Sequence, residues 1–140
     1  MADCPDLPPV VWKSDFFGTI EAFALLDSVV DLYIADFKFG NNACAKQLSG
    51  VDNYAQTIGR NLMTASKSAD LIVRHLLLPD HFECCFCPIV DWMASHLPTT
   101  KFSIRDGYMP KWLAKRDPQL GSNLSPGVGE QARLVAGLPP

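Results

Sequence analysis

The stretch "VDLYIADFKFG", residues 30–40, begins as an apolar strand and finishes with Asp36 and Lys38. Residues two apart share one face of an extended chain, so this carboxylate and this ammonium look into the same space. An unpaired charge at a buried strand end costs several kcal/mol, so the pair calls for partners or a polar ligand. A surface ion pair between the two is the competing reading. Three other apolar runs carry comparable groups: "VVWKSD" ends in Lys13, Ser14 and Asp15, "LIVRHLLLP" holds Arg74 and His75, and "KFSIRDGY" ends in Arg105, Asp106 and Tyr108. Adjacent strand residues point to opposite faces, so Arg74 and His75 divide between a functional edge and a helix layer. The chemistry on offer is the holding of a polar ligand by charge-assisted hydrogen bonds. For His75 a structural and a functional role weigh equally. His81 and His96 read as loop and helix-end residues, and Trp92 and Trp112 as packing aromatics.

Five cysteines make an odd count, and "CCFC" crowds Cys84, Cys85 and Cys87 together, where neighbouring thiols are poorly placed for disulfides. They read as reduced. Cys4 and Cys44 are distant in sequence, and no second Cys-x-x-Cys pair joins Cys84 and Cys87 to complete a zinc or iron-sulfur pattern, so no metal ligands are assigned. A small metal site built from "ECCFC" and His81 is the sharper but less favoured alternative.

These groups need elements to position them. Four runs read as strands: residues 8–14, 30–37, 70–79 and 101–106. Helical spacing fills the gaps. "TIEAFALLDSVV" places Ile20, Phe23 and Leu26 on one side behind Thr19 as N-cap. Tyr54, Ile58 and Leu62 repeat every four residues after Asp52 and Asn53 as cap candidates, with Ala55 and Gly59 allowing close approach to a sheet. Pro88 suits the start of a helix carrying Ile89, Met93 and Leu97 that Pro98 stops. A short helix over "NACAKQL" ends at Gly50. Strands separated by such crossovers must pair in parallel, so the fold class is α/β with about four βα units. In such folds the chemistry collects beyond the carboxyl ends of the strands. The packed domain spans 8–116, and the Pro/Gly-rich 117–140 reads as a tail in which "GEQARLVAGL" forms at most a last short helix.

Composition narrows the function. At 140 residues, 48% hydrophobic and 19% charged, the chain reads as one globular domain. A net charge of −3 with no basic stripe argues against nucleic acid as a partner. No apolar stretch approaches the roughly 20 residues needed to cross a bilayer, and the start lacks a signal pattern. No membrane partner and a cytoplasmic location are the expectations.

The stretches "VVWKSDFF", "VVDLYIADFKFGNNACAKQLSGV", "LIVRHLLLPDH" and "KFSIRDGYMPKW" together resemble, in order and spacing, the radical S-adenosylmethionine (SAM) proteins related to the pyruvate formate-lyase activating enzyme. "DFK" followed by "SGV" and then "VRHLLLP" is the most specific combination. The resemblance implies a partial (β/α)6 barrel in which a [4Fe-4S] cluster reduces and cleaves SAM. The resulting radical abstracts hydrogen, in the activating enzymes from a glycine of a protein substrate. It further implies SAM-binding roles for Ser14, Asp36, Lys38, Arg74 and Tyr108, with Pro79 ending the strand of Arg74. The family's Cys-x-x-x-Cys-x-x-Cys loop and Gly-Gly-Glu stretch are both absent from this sequence. The chain thus matches strands three to six of the family, without the cluster-binding half, and by itself is expected to be inactive. The exposed edge of its first strand then suits a partner chain carrying the missing N-terminal half; a non-enzymatic docking subunit or truncated remnant is the alternative reading. Pro8 and Pro9 blunt that edge slightly.

Overall fold

In the computed structural model, which describes residues 7–139, the four expected strands pair side by side in sequence order. Val11–Ser14 (β1), Leu32–Asp36 (β2), Asp70–Leu76 (β3) and Lys101–Arg105 (β4) form one parallel sheet. Parallel neighbours require long crossovers, and helices occupy each of them. Ile20–Leu26 (α1) joins β1 to β2, Asn42–Ser49 (α2) and Tyr54–Ala65 (α3) join β2 to β3, and Cys87–His96 (α4) joins β3 to β4. The α/β expectation holds at this level. No helix of the described residues is long and apolar enough to cross a membrane.

The main core lies between the sheet and α3. Tyr54, Ile58 and Leu62 are all buried, packed with Tyr33, Ala35 and Val73 of the central strands. Ile58, Leu62 and Val73 each contribute about 1.5–3 kcal/mol through removal of apolar surface from water. The start of α3 departs from expectation. Asn53 adopts φ 54° and makes no side-chain cap; Asn42 Oδ1 instead accepts the Ala55 N–H at 2.8 Å, so α2 caps α3. Gly59 serves a helix contact rather than the sheet, since a Cβ there would sit 3.3 Å from the Trp92 ring.

The remaining helices follow their local signals. Thr19 Oγ1 accepts the Ala22 N–H at 3.2 Å, and Asn41 caps α2, which Gly50 ends at φ 73°. Phe23 of α1 is buried against Phe16 and Tyr33, but Ile20 is 60% exposed. With seven residues, α1 is too short to bury a full stripe. Ile89, Met93 and Leu97 are buried as expected, though α4 is preceded by a π-helical turn, Phe82–Phe86.

Two further expectations are corrected. Trp112 does not pack: it lies 92% exposed in a 3-10 turn, Trp112–Arg116. Packing also continues beyond Asp117, because Val128–Val135 (α5) buries Ala132 in a second cluster with Leu77, Phe86 and Ile104. A helix assigned to the tail is therefore part of the body. Cys4 lies outside the described residues.

His75 is a structural residue. Buried beside Phe86, it donates Nδ1–H to the Phe37 carbonyl at 2.7 Å, on the strand face opposite Arg74. Burial, only partly opposed by that bond, pushes its pKa down to about 4. The unfolded chain then binds the proton more readily, so stability is full above about pH 6.5 and falls as pH drops toward 4, by about 3 kcal/mol in all. Urea unfolding across that window should show the slope, and His75→Asn, which keeps a donor but does not titrate, should flatten it.

Candidate functional site

Parallel pairing carries the polar strand ends to one edge. In register, Asp36 stands opposite Arg74, and Arg74 opposite Ser103. The Asp36 carboxylate is bracketed: Arg74 Nε donates to Oδ1 at 2.8 Å and Lys13 Nζ to Oδ2 at 3.1 Å. Asp36 and Arg74 are about three-quarters buried, which strengthens this contact relative to an exposed pair. Lys38 does not pair with Asp36. Its ammonium lies 3.8 Å from Asp15, and both side chains are half exposed. The reading of Asp36 and Lys38 as an ion pair with each other is thereby set aside.

The loop after β2 is held from beneath. Tyr54 Oη accepts the Lys38 N–H at 2.8 Å, and burial pushes the Tyr54 pKa up to about 12, so the phenol stays protonated. Phe37 N–H donates to the Arg74 carbonyl at 2.8 Å, extending the β2–β3 ladder past Asp36. Lys38 therefore leaves a fixed strand end rather than a loose loop.

Asp36, Lys38, Arg74 and Arg105 form the polar wall of a cavity of about 330 Å³, with Phe39, Leu48, Leu76, Leu78 and Leu120 as its apolar wall. That volume lies at the small end of the range for small-molecule sites. Three cations face one carboxylate that is already doubly paired, so the wall favours a ligand bearing an anionic group beside an apolar body.

Of the five residues expected at the site, the structure brings Asp36, Lys38 and Arg74 together on this wall. Ser14 is not among the lining residues; its Oγ accepts the Phe16 N–H at 3.1 Å and shapes the turn after β1. Tyr108 also stands back, donating its hydroxyl to the Leu120 carbonyl at 2.8 Å, and so braces a residue that does line the cavity. Lys13 and Arg105 stood at strand ends in the sequence yet carried no assignment. Leu120 gave no sign, because a single leucine in a Pro/Gly-rich stretch has no periodicity to mark it.

A second polar cluster lies behind the loop. Cys44 of α2 comes within 3.5 Å of Cys84, sulfur to sulfur, and a ring nitrogen of His81 lies within 4.8 Å of both. Residues forty apart in sequence are thus neighbours in space. The thiols of Cys84 and Cys85 are pushed up, first by burial and then by neighbouring thiols, Cys44 foremost, so both are protonated at neutral pH. Cys87 stands apart, its sulfur 3.7 Å from Glu83, and burial followed by that carboxylate raises its pKa too.

No family model matches the chain. It is similar to an uncharacterized protein of Methanocaldococcus jannaschii, with 40% identity over 128 residues, which cover 91% of this chain and 38% of that protein. The chain therefore spans well under half the length of the curated relative it matches.

Proposed function

We propose that this chain is the strand-three-to-six portion of a radical SAM protein of the glycyl-radical-activating type, and that its cavity is one wall of the SAM pocket. The observation that carries this reading is the bracketed Asp36 with Lys38, Arg74 and Arg105 around a cavity at the carboxyl ends of β2 and β3. SAM offers a carboxylate, an ammonium, ribose hydroxyls and an adenine ring. Lys38 and the free guanidinium nitrogens of Arg74 suit its carboxylate, the Asp36 carboxylate suits its cationic and hydroxyl groups, and the leucines and Phe39 suit its ring.

The residues present do not fit the [4Fe-4S] cluster. The chain has no Cys-x-x-x-Cys-x-x-Cys loop, and the described cysteines are divided between α2 after β2 and the π-helical turn and start of α4 after β3 rather than gathered on one loop. No radical step is therefore assigned to it alone. Its own contribution is to hold SAM, orient it and exclude water.

The exposed edge supports the companion proposal. β1 has no strand on its outer side among the described residues, and Val11 and Trp12 there are 53% and 42% exposed. A parallel sheet is normally covered on both faces and open edges invite pairing, so further strands from a partner or from the same polypeptide dock along β1.

The test is SAM titration into the isotope-labelled chain, followed by amide chemical shifts. Saturable shifts at Lys38, Phe39 and Arg74 are expected, with weak affinity because the opposite wall is missing. Shifts absent from these residues, or confined to other surfaces, overturn the SAM reading.

A further inference from the structure

Independently of any SAM chemistry, we propose that Cys44, His81 and Cys84 form a metal site that binds zinc through two thiolates and one imidazole, leaving a fourth position open. Two Zn–S bonds of about 2.3 Å at a tetrahedral angle place the sulfurs about 3.8 Å apart. The 3.5 Å between Cys44 and Cys84 needs only a small adjustment, and the His81 nitrogen lies within 4.8 Å of both. Thiolate with imidazole is the donor set that selects zinc over hard cations such as magnesium or calcium.

The surroundings orient these ligands as metal sites require. His81 is buried, and its Nδ1–H donates to the Pro79 carbonyl at 2.6 Å. That bond fixes the tautomer and leaves the lone pair on Nε2, the arrangement in which a ligating histidine is held by a carbonyl behind it. Asn41 ties the two cysteine segments together. Its Oδ1 accepts the Cys44 N–H at 2.8 Å, while Nδ2 donates to the Cys84 carbonyl at 2.6 Å and to the Cys44 sulfur at 3.3 Å. The π-helical turn adds the third element: the His81 carbonyl accepts both Cys85 N–H and Phe86 N–H, at 3.0 and 3.2 Å. Such widened turns frequently mark functional sites. Binding replaces two S–H bonds with two Zn–S bonds and releases both protons to solvent, so the site is neutral overall once zinc is seated.

The experiment is titration of the reduced, chelator-treated chain with Co²⁺, then with competing Zn²⁺. One equivalent of Co²⁺ should give sulfur-to-cobalt charge-transfer absorption with tetrahedral visible bands, all displaced by Zn²⁺. Cys44→Ser and Cys84→Ser should each remove the charge-transfer intensity in part and together abolish it. Asn41→Ala should weaken affinity about 10–100-fold, and Cys87→Ser should change nothing. A measurement on the unaltered chain guards against variants that fail to fold: zinc should protect Cys44 and Cys84, but not Cys87, from alkylation. Absence of stoichiometric Co²⁺, bands that survive the double variant, or protection confined to Cys87 overturns the proposal. So does a reduced chain that takes up no metal and on oxidation merely joins Cys44 to Cys84.

Discussion

Gly40→Ala is expected to lower the unfolding free energy by about 3 kcal/mol, the upper part of the range for forcing atoms into packed space. Its φ does not require glycine; its neighbours do. A Cβ at this position would meet the Cys85 carbonyl oxygen and lie 2.7 Å from Cys85 Cα. These are backbone atoms of the π-helical turn, so no rotamer change relieves the contact. Either the loop after β2 or the turn must move, and Asn41, whose amide spans from one to the other, loses its bonds when they part. Urea unfolding measures the loss. Gly107→Ala is the control, since nothing lies within 4 Å of a Cβ there, and it should stay within about 0.5 kcal/mol of the parent. Equal stabilities for the two variants would remove the case for close approach at Gly40.

Asp36→Asn, set beside Lys38→Gln, separates binding from folding at the cavity. The change keeps the shape but leaves Arg74 and Lys13 beside an uncharged amide whose nitrogen is a donor facing donors. Because Asp36 and Arg74 are largely but not fully buried, the expected loss of stability is about 1–2 kcal/mol. On the proposed SAM reading, affinity for SAM is expected to fall at least about tenfold, which corresponds to about 1.4 kcal/mol. Lys38→Gln supplies the contrast. Its pairing with Asp15 is long and exposed, so stability should change by less than about 0.5 kcal/mol while SAM affinity still falls. Calorimetric titration beside urea unfolding reads both quantities. If Lys38→Gln binds SAM like the parent, Lys38 has no part in the pocket.

Local patterns made much of the sheet and its helices legible. The Tyr54, Ile58, Leu62 repeat identifies the buried face of α3 because a four-residue period is set within one helix. The polar strand ends were legible for a related reason: parallel pairing brings every carboxyl end to one edge, so Asp36, Lys38 and Arg74 converge without knowledge of exact contacts. What escaped depends on chain segments that meet only after folding. His81 and Cys84 stand three apart and could be weighed together, but Cys44 joins them from a helix forty residues earlier, and no spacing rule links it to them. Leu120 reaches the cavity through a hydroxyl on Tyr108, again a contact between distant stretches. The cap on α3 shows the same limit at short range, since Asn53 has the right chemistry but Asn42 has the right place.

The order of the strands also governs how the sheet is made. Each strand pairs with the next one along the chain, so each closure spans a single crossover. Loop-closure entropy grows only with the logarithm of loop length, and here no pairing waits for a segment beyond the next unit. The sheet can therefore lengthen one βα unit at a time, from the N-terminal strand onward, as the chain leaves the ribosome. Among the described residues β1 pairs on one side alone and contributes no fully buried residue, so it gains least from this growth. Among the four strands it is the one whose order rests most on what lies outside the sheet.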